Sequence, residues 1–282
     1  MKVSYINSKG EKIDFLSNKI AIQNIESLFV DKWEYSSMAS INFGGKIKKF
    51  YKGLAELPVK LSIVADTEKE FSALMKRLHD VFTYDIRTKQ SGRLYVNDSY
   101  LECWFYSSSY SEYEDLFYIT DKDYTLVTPR PMWITERKYV LDPSIPINNS
   151  VVDYAIVDYA LVDTDKRPME VVTSIISNEQ DLPVPITIDI QGYASAPRIE
   201  IGDNIYDINI EIPENGHLLI DGLNKYATLY DQDGDESNAF GYRDSDYDLF
   251  AEIPPGAHEV LFNGTSPTVI TLYEERGEPS WT

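Results

Sequence analysis

The sequence predicts a mainly β chain in two halves, the first carrying a single α-helix and the second closing as an antiparallel β-sandwich or jelly roll. Four features predict it. Isoleucines alternate with polar residues in short runs between 186 and 212. Turn residues part these runs at about ten-residue spacing, the pattern of an antiparallel sandwich. Only residues 67–82 carry apolar side chains at a convincing helical spacing. Finally, 282 residues point to two domains rather than one, each large enough to bury a core without disulfide or metal staples.

From the N-terminus, residues 12–16 and 20–25 carry spaced apolar residues and read as short strands. In residues 57–65, Val59, Leu61 and Ile63 alternate with Lys60 and Ser62, as a half-buried strand requires. Between these lies 42–54, with Gly44, Gly45 and a basic cluster of Lys46, Lys48, Lys49 and Lys52. By the general rule for charge runs this is a solvated hairpin or flexible loop. The alternative is an arm that reaches an acidic neighbour. The helix 67–82 opens on Thr67 and Glu70, a capping box that satisfies free amides at a helix start. Phe71, Leu74, Met75, Leu78 and Phe82 then share one face, with Lys69, Lys76 and Asp80 opposite. That face should lie on the N-terminal sheet.

Residues 94–96, a turn at Asn97-Asp98 and residues 100–106 read as a hairpin. The Ser/Tyr/Glu-rich stretch 106–115 reads as a loop, and 116–127 resumes strand character. Pro129 and Pro131 end it before Trp133, and Pro143, Pro146, Asn148 and Asn149 mark a connecting segment. The expected division is therefore 1–140, a connection over 141–164, and 165–282. The connection holds a small tandem repeat, V-D-Y-A-I then V-D-Y-A-L, within 152–163. Its period fits neither strand nor helix, and two copies are too few for a solenoid.

In the second half, strands are expected at 186–190, 199–201, 208–212, 218–220 and 226–230. Gly192, Gly202 to Asn204, Glu214 to Gly216 and Asp221-Gly222 supply the turns between them. Pro254, Pro255 and Gly256 form another turn, since they suit neither a central strand nor a helix interior. Val260 and Phe262 alternate with Glu259 and Leu261, Asn263-Gly264 follows, and 268–273 reads as a further strand. These last elements are expected to pair as a terminal hairpin that closes the sandwich.

Charge and chemistry exclude several functions. The net charge is 26 − 46 = −20, which opposes a direct grip on phosphate, so sequence-specific nucleic-acid binding is not expected. A single cysteine, Cys103, allows no intrachain disulfide and no cysteine-built zinc site. It sits in a predicted strand, where a buried inert thiol is expected. The first 14 residues are polar, and no apolar run approaches 18 residues, so neither a signal peptide nor a membrane span is expected, and folding in a reducing cytosol is. The three histidines, His79, His217 and His258, are far apart, and His79, beside the helix stripe, is expected to be partly packed. No nucleophile elbow, phosphate loop, dinucleotide fingerprint or zinc-protease helix occurs. With 46 acids, carboxylate pairs arise by chance and signal no glycosidase. The acidic run 231–252 begins D-Q-D-G-D, like the start of a calcium loop. Its sixth position is Glu236 instead of Gly, however, and its twelfth is Tyr242 instead of Glu. It reads as a solvated loop. Sequons at Asn97, Asn148 and Asn263 carry no weight without secretion. No catalytic, cofactor-binding or metal-binding residue is therefore assigned, and no enzyme is expected.

The order of elements, with A-P-R-I-E-I-G-D (196–203), G-H-L-L-I-D-G-L (216–223), I-P-P-G-A-H-E-V-L-F-N-G (253–264) and the closing E-R-G-E-P-S-W, resembles the distal tail proteins (Dit) of long-tailed phages over essentially the whole chain. The resemblance implies an N-terminal β domain with one helix and a galectin-like C-terminal sandwich. It further implies a homo-oligomer, a hexameric ring at the end of a virion tail, made in the host cytoplasm. The tail-tube protein would lie above the ring and the tail-tip protein below. Receptor-binding or baseplate components would be held outside, and DNA would pass through the centre. An acidic wall would not snag a passing polyanion, and 21 tyrosines suit protein interfaces. A carbohydrate-binding sandwich is the alternative, with Tyr226, Tyr230, Tyr242 and Trp281 as its candidate aromatics.

Overall fold

A computed structural model describes residues 1–39, 44–114, 118–142, 174–262, 264 and 266–279. The tandem repeat, most of the expected connection and Trp281 lie outside the described residues. The chain forms two compact units, Met1–Thr135 with Glu275–Thr282, and Glu136–Glu274.

The first unit holds β1 (Val3–Ile6), β2 (Lys12–Asp14), β3 (Ile20–Ile22), a 3-10 turn over Ile25–Leu28, β4 (Glu34–Ala39), β5 (Gly45–Tyr51) and β6 (Ala55–Val64). These are followed by α1 (Glu68–Thr88), β7 (Gly92–Val96), β8 (Ser99–Glu114), β9 (Ile119–Thr128) and the start of β10 (Trp133–Leu141). Pairing is antiparallel throughout. The long strand β8 serves two sheets. Its first residues pair with β7, in the order β8-β7-β1-β2, and the rest pairs with β9, in the order β8-β9-β6-β3. The alternation of β6 is realised: Val59, Leu61 and Ile63 are buried with Leu94, Leu101, Leu126 and Trp133 in one core. Of the expected loop at 106–115, residues 106–114 are instead strand, paired with β9 as far as Glu114↔Ile119 and bulged at Phe105/Ser107 and Tyr110/Glu112, and 115 lies outside the described residues. Serine and tyrosine carry no apolar alternation, so backbone pairing with β9, not side-chain pattern, makes this segment a strand.

The helix begins where its cap predicts. Thr67 Oγ1 accepts from the Glu70 amide at 3.2 Å, and Glu70 reaches back to the Asp66 amide. It then runs six residues past Phe82, to Thr88. The apolar stripe stops at Phe82, but the next inward position is Asp85, which is fully buried. Its carboxylate accepts bonds from Tyr5 Oη at 2.5 Å and from the Ser8 amide and hydroxyl at 2.8 and 2.6 Å. Burial, with the nearby Cys103 and Asp85, pushes the Tyr5 phenol well above its usual pKa. Gly92 is required beside this group, because a Cβ there would lie 2.1 Å from Tyr5 Oη. Phe82 and Phe105 stack at 4.3 Å, with Tyr5 edge-on to both.

The second unit adds β11 (Ser174–Asn178), β12 (Ile186–Gln191), β13 (Ala194–Ser195), β14 (Arg198–Ile201), β15 (Asn204–Asp207), β16 (Glu211–Ile212), β17 (His217–Asp221), β18 (Tyr226–Tyr230), β19 (Glu236–Asn238), β20 (Gly256–Phe262) and β21 (Thr268–Arg276). One sheet runs β19-β18-β17-β12-β21 and another β11-β20-β14-β15, with β13-β16 as a small pair. Ile188, Ile190, Leu218, Ile220, Ile270 and Leu272 from the first sheet meet Ile199, Ile201, Val260 and Phe262 from the second in one core. This is the expected sandwich. Two details differ from expectation. The run 208–212 is broken into an isolated bridge from Ile208 to Arg243 and the two-residue β16. The terminal strands also do not form a hairpin. β20 pairs with β11 and β14, whereas β21 pairs with β12. The connection crosses from one sheet to the other, because Val260, Phe262, Ile270 and Leu272 must all enter the core between the sheets. Gly264 allows this crossing, since a Cβ there would lie 2.0 Å from the Phe262 ring.

Candidate interaction surface

The basic cluster lies on a hairpin. Among the described residues, strands β4 and β5 pair only with each other, from Glu34↔Tyr51 to Ala39↔Gly45, with a bulge at Ser36/Ser37. Every residue of β5 is exposed. Trp33, Tyr35, Met38, Phe50 and Leu54 are each more than half exposed, and Ile47 nearly so. Lone exposed apolar residues are ordinary, but a contiguous set of this size marks a contact surface. A free two-stranded hairpin is marginal in water, and this one gains only local support. Tyr35 and Phe50 meet edge-on across the pair at 6.3 Å, and Lys49 lies over Tyr51 at 5.2 Å.

Its lysines divide into two kinds. Lys52 anchors the base: its side chain is nearly buried, pairs with Asp31, donates to the Pro131 carbonyl at 3.2 Å and lies over the Trp33 ring. Lys46, Lys48 and Lys49 stay exposed and have no carboxylate partner among the described residues. The surface is thus apolar and cationic on a chain of charge −20, and it fits an acidic partner with apolar groups of its own. The lysine run was legible in the sequence. The β4 side chains were not, because W-E-Y-S-S-M looks like any strand until its exposure is known.

The other residues singled out from sequence are dispersed. His79 is exposed on α1, not packed. His217 stacks on Tyr230 at 4.2 Å, and His258 Nε2 lies 2.9 Å from the Pro254 carbonyl, on the other sheet. Cys103 is fully buried, and burial pushes its thiol up. The acidic run spends several carboxylates on its own turns. Asp231 accepts from the amides of Asp233 and Asp235, Asp244 from that of Asp246, and Asp248 from that of Phe250. Among the described residues no three metal-ligating side chains converge. Tyr226 lines a groove with Glu236 and Asn238, while Tyr242 lines a different one with Asp207 and Arg243. Asn97 caps the β7–β8 turn at φ 53° and accepts from the Lys2 amide. Asn148 and Asn263 lie outside the described residues. No helix among the described residues is long and apolar enough to cross a membrane.

No protein-family model matches the sequence, and no curated protein matches it. Solved structures do. The chain is similar to the SPP1 Dit (gp 19.1) protein, described as a paradigm of the hub adsorption apparatus in phages that infect Gram-positive bacteria. The TM-score is 0.56 at 11% identity, over 97% of this chain and 99% of that one. It is similar to a chain of the phage P2 baseplate in its activated conformation with Ca, with a TM-score of 0.60 at 10% identity over 99% of both. It is also similar to a chain of that baseplate with Sr, with a TM-score of 0.57 at 11% identity over 99% of both. At such identities the likeness is one of fold, and it extends through both units.

Proposed function

We propose that this chain is a distal tail protein of a long-tailed phage or prophage, a structural adaptor in the virion and not an enzyme. Copies assemble into a closed ring, six by analogy with the resembled family, that joins the tail tube to the tail tip and carries receptor-binding or baseplate components. The observation that carries the reading is end-to-end fold likeness to hub and baseplate chains, joined to an exposed hairpin that has no partner strand outside itself among the described residues. The reading keeps the sequence division: 1–140 builds the ring, 141–164 connects, and 165–282 faces outward.

A ring made of one protein uses two different surfaces at each contact. The β4–β5 arm supplies the cationic, apolar one, and the acidic remainder of the next copy supplies the other. Six copies carry 6 × −20 = −120 charges, so the arm must offset strong repulsion. The same negative wall lets a polyanion pass without sticking. Light scattering over a salt series, with negative-stain images, tests the proposal. Rings of six are expected, and the assembled fraction should change with salt, because exposed charges are screened within about 10 Å at moderate ionic strength. An oligomer fraction that is flat from low to high salt would remove the electrostatic part of the reading.

A further inference from the structure

A second cationic feature in the first unit has no role in the arm. A cleft of about 160 Å³ opens between the second half of α1 and strands β8 and β9. Phe82 and Phe105, stacked on each other, line it with apolar surface, and His79 stands at its exposed side. Lys122 and Tyr124 line it together with the hydroxyl side chains of Thr83, Ser107 and Ser108.

Lys122 forms no ion pair among the described residues. Its ammonium lies 4.9 Å from the Tyr110 ring centre and 5.2 Å from that of Tyr124. Burial pulls its pKa down. Tyr124 is 5% exposed, and its hydroxyl is buried with no hydrogen-bond partner. A buried, unsatisfied hydroxyl costs about 1–3 kcal/mol, and native proteins rarely leave one without a reason. A half-buried cation and an unused O–H donor on an aromatic lining are the complement of a carboxylate on a short apolar stem.

We propose that this cleft binds the side-chain carboxylate of a glutamate or aspartate presented by a partner polypeptide. Size supports a single side chain. Drug-sized ligands fill about 300–1,000 Å³, well above the 160 Å³ here. The inference rests on Lys122 and Tyr124 alone, and it stands whether or not the arm closes a ring.

The test uses the full-length protein with lysine Cε labelled for NMR, Lys122 being assigned from Lys122→Arg. Glutarate is the probe, with glutaramide as its neutral match and inorganic phosphate as a comparator. A saturable shift of the Lys122 signal is expected with glutarate, at a dissociation constant on the order of 1–10 mM, and none with glutaramide. Tyr124→Phe should weaken glutarate about tenfold, while its melting temperature is unchanged or higher, because it deletes an unsatisfied hydroxyl. That split separates a ligand role from a packing role. The proposal is overturned by an absent or non-saturating shift, by equal shifts with glutaramide, by tighter binding of phosphate than of glutarate, or by unchanged affinity in Tyr124→Phe.

Discussion

Two antiparallel hairpins of this chain have opposite fates. The β18–β19 hairpin continues a larger sheet through β17 and sends Ala227 into the sandwich core, with Leu229 packed against it. Its acids cap its own turn. The β4–β5 hairpin joins no larger sheet among the described residues and exposes the whole of β5, including Ile47 and Phe50. The first is stabilised by its own chain. The second carries aromatic side chains that stand exposed, Tyr35 and Phe50 among them. Burying one such side chain is worth about 1.5–3 kcal/mol, so the arm has little to contribute until it is covered. The difference teaches that exposure, not strand pattern, separates a scaffold hairpin from a docking hairpin.

The comparison breaks most visibly at the packed hairpin. Ala239 follows β19, is fully buried, and donates its amide to the Ala227 carbonyl at 2.9 Å. Ala239→Asp buries an unpaired charge, and we expect a loss of about 4 kcal/mol or more, read as a collapse of the urea midpoint. Next comes the core beneath α1. Gly92→Ala pushes a methyl into Tyr5 and Asp85 and should cost about 3 kcal/mol, whereas no assembly-specific defect is expected in the fraction that folds. On the arm the order of effects reverses. The triple variant Met38→Ser, Ile47→Ser, Leu54→Ser, at exposed side chains of the arm and its flank, should change monomer stability by about 0.5 kcal/mol or less per site, yet abolish self-association in light scattering. A matching loss of stability in this variant would mean that the arm is packed within its own chain.

The smallest effect concerns a surface group near the arm's unit core. Burial would raise the Asp121 carboxyl, but hydrogen bonds from Lys60, Ser62 and Gln23 outweigh it and hold the pKa below the usual carboxylate value. A depressed folded pKa stabilises above the unfolded value, about 3.9, and that stabilisation is lost as pH falls through the folded value. Asp121→Asn should therefore be less stable than the parent at pH 7, by about 1 kcal/mol or less, with the gap closing in acid. A gap of constant size in urea titrations across that range would show that the carboxylate charge plays no part.

Much of this was legible in the residues. The sandwich core follows from Ile186, Ile188, Ile190, Ile199 and Ile201, which pack where their alternation places them. The helix start follows from Thr67 and Glu70. The helix end was hidden, because its last inward residue is Asp85, a carboxylate that no periodicity rule assigns to a core. Strand 106–114 was hidden for the same kind of reason: its serines and tyrosines gain their place from β9. The arm was half visible. Lys46, Lys48 and Lys49 signal a cationic surface, but Trp33, Tyr35 and Met38 carry no mark in sequence that they face water.

The sequence by itself determined what depends on neighbours along the chain: β character, one capped helix, a two-unit plan and an acidic surface with one basic run. Periodicity, caps and charge counts are local or additive, so they survive without coordinates. Only the tertiary structure decided which strands meet. It sent β20 and β21 into opposite sheets, turned Asp85 inward to Tyr5 and Ser8, and left the arm uncovered. Those outcomes depend on contacts between residues far apart in the chain, where partner identity, not local pattern, sets the energy.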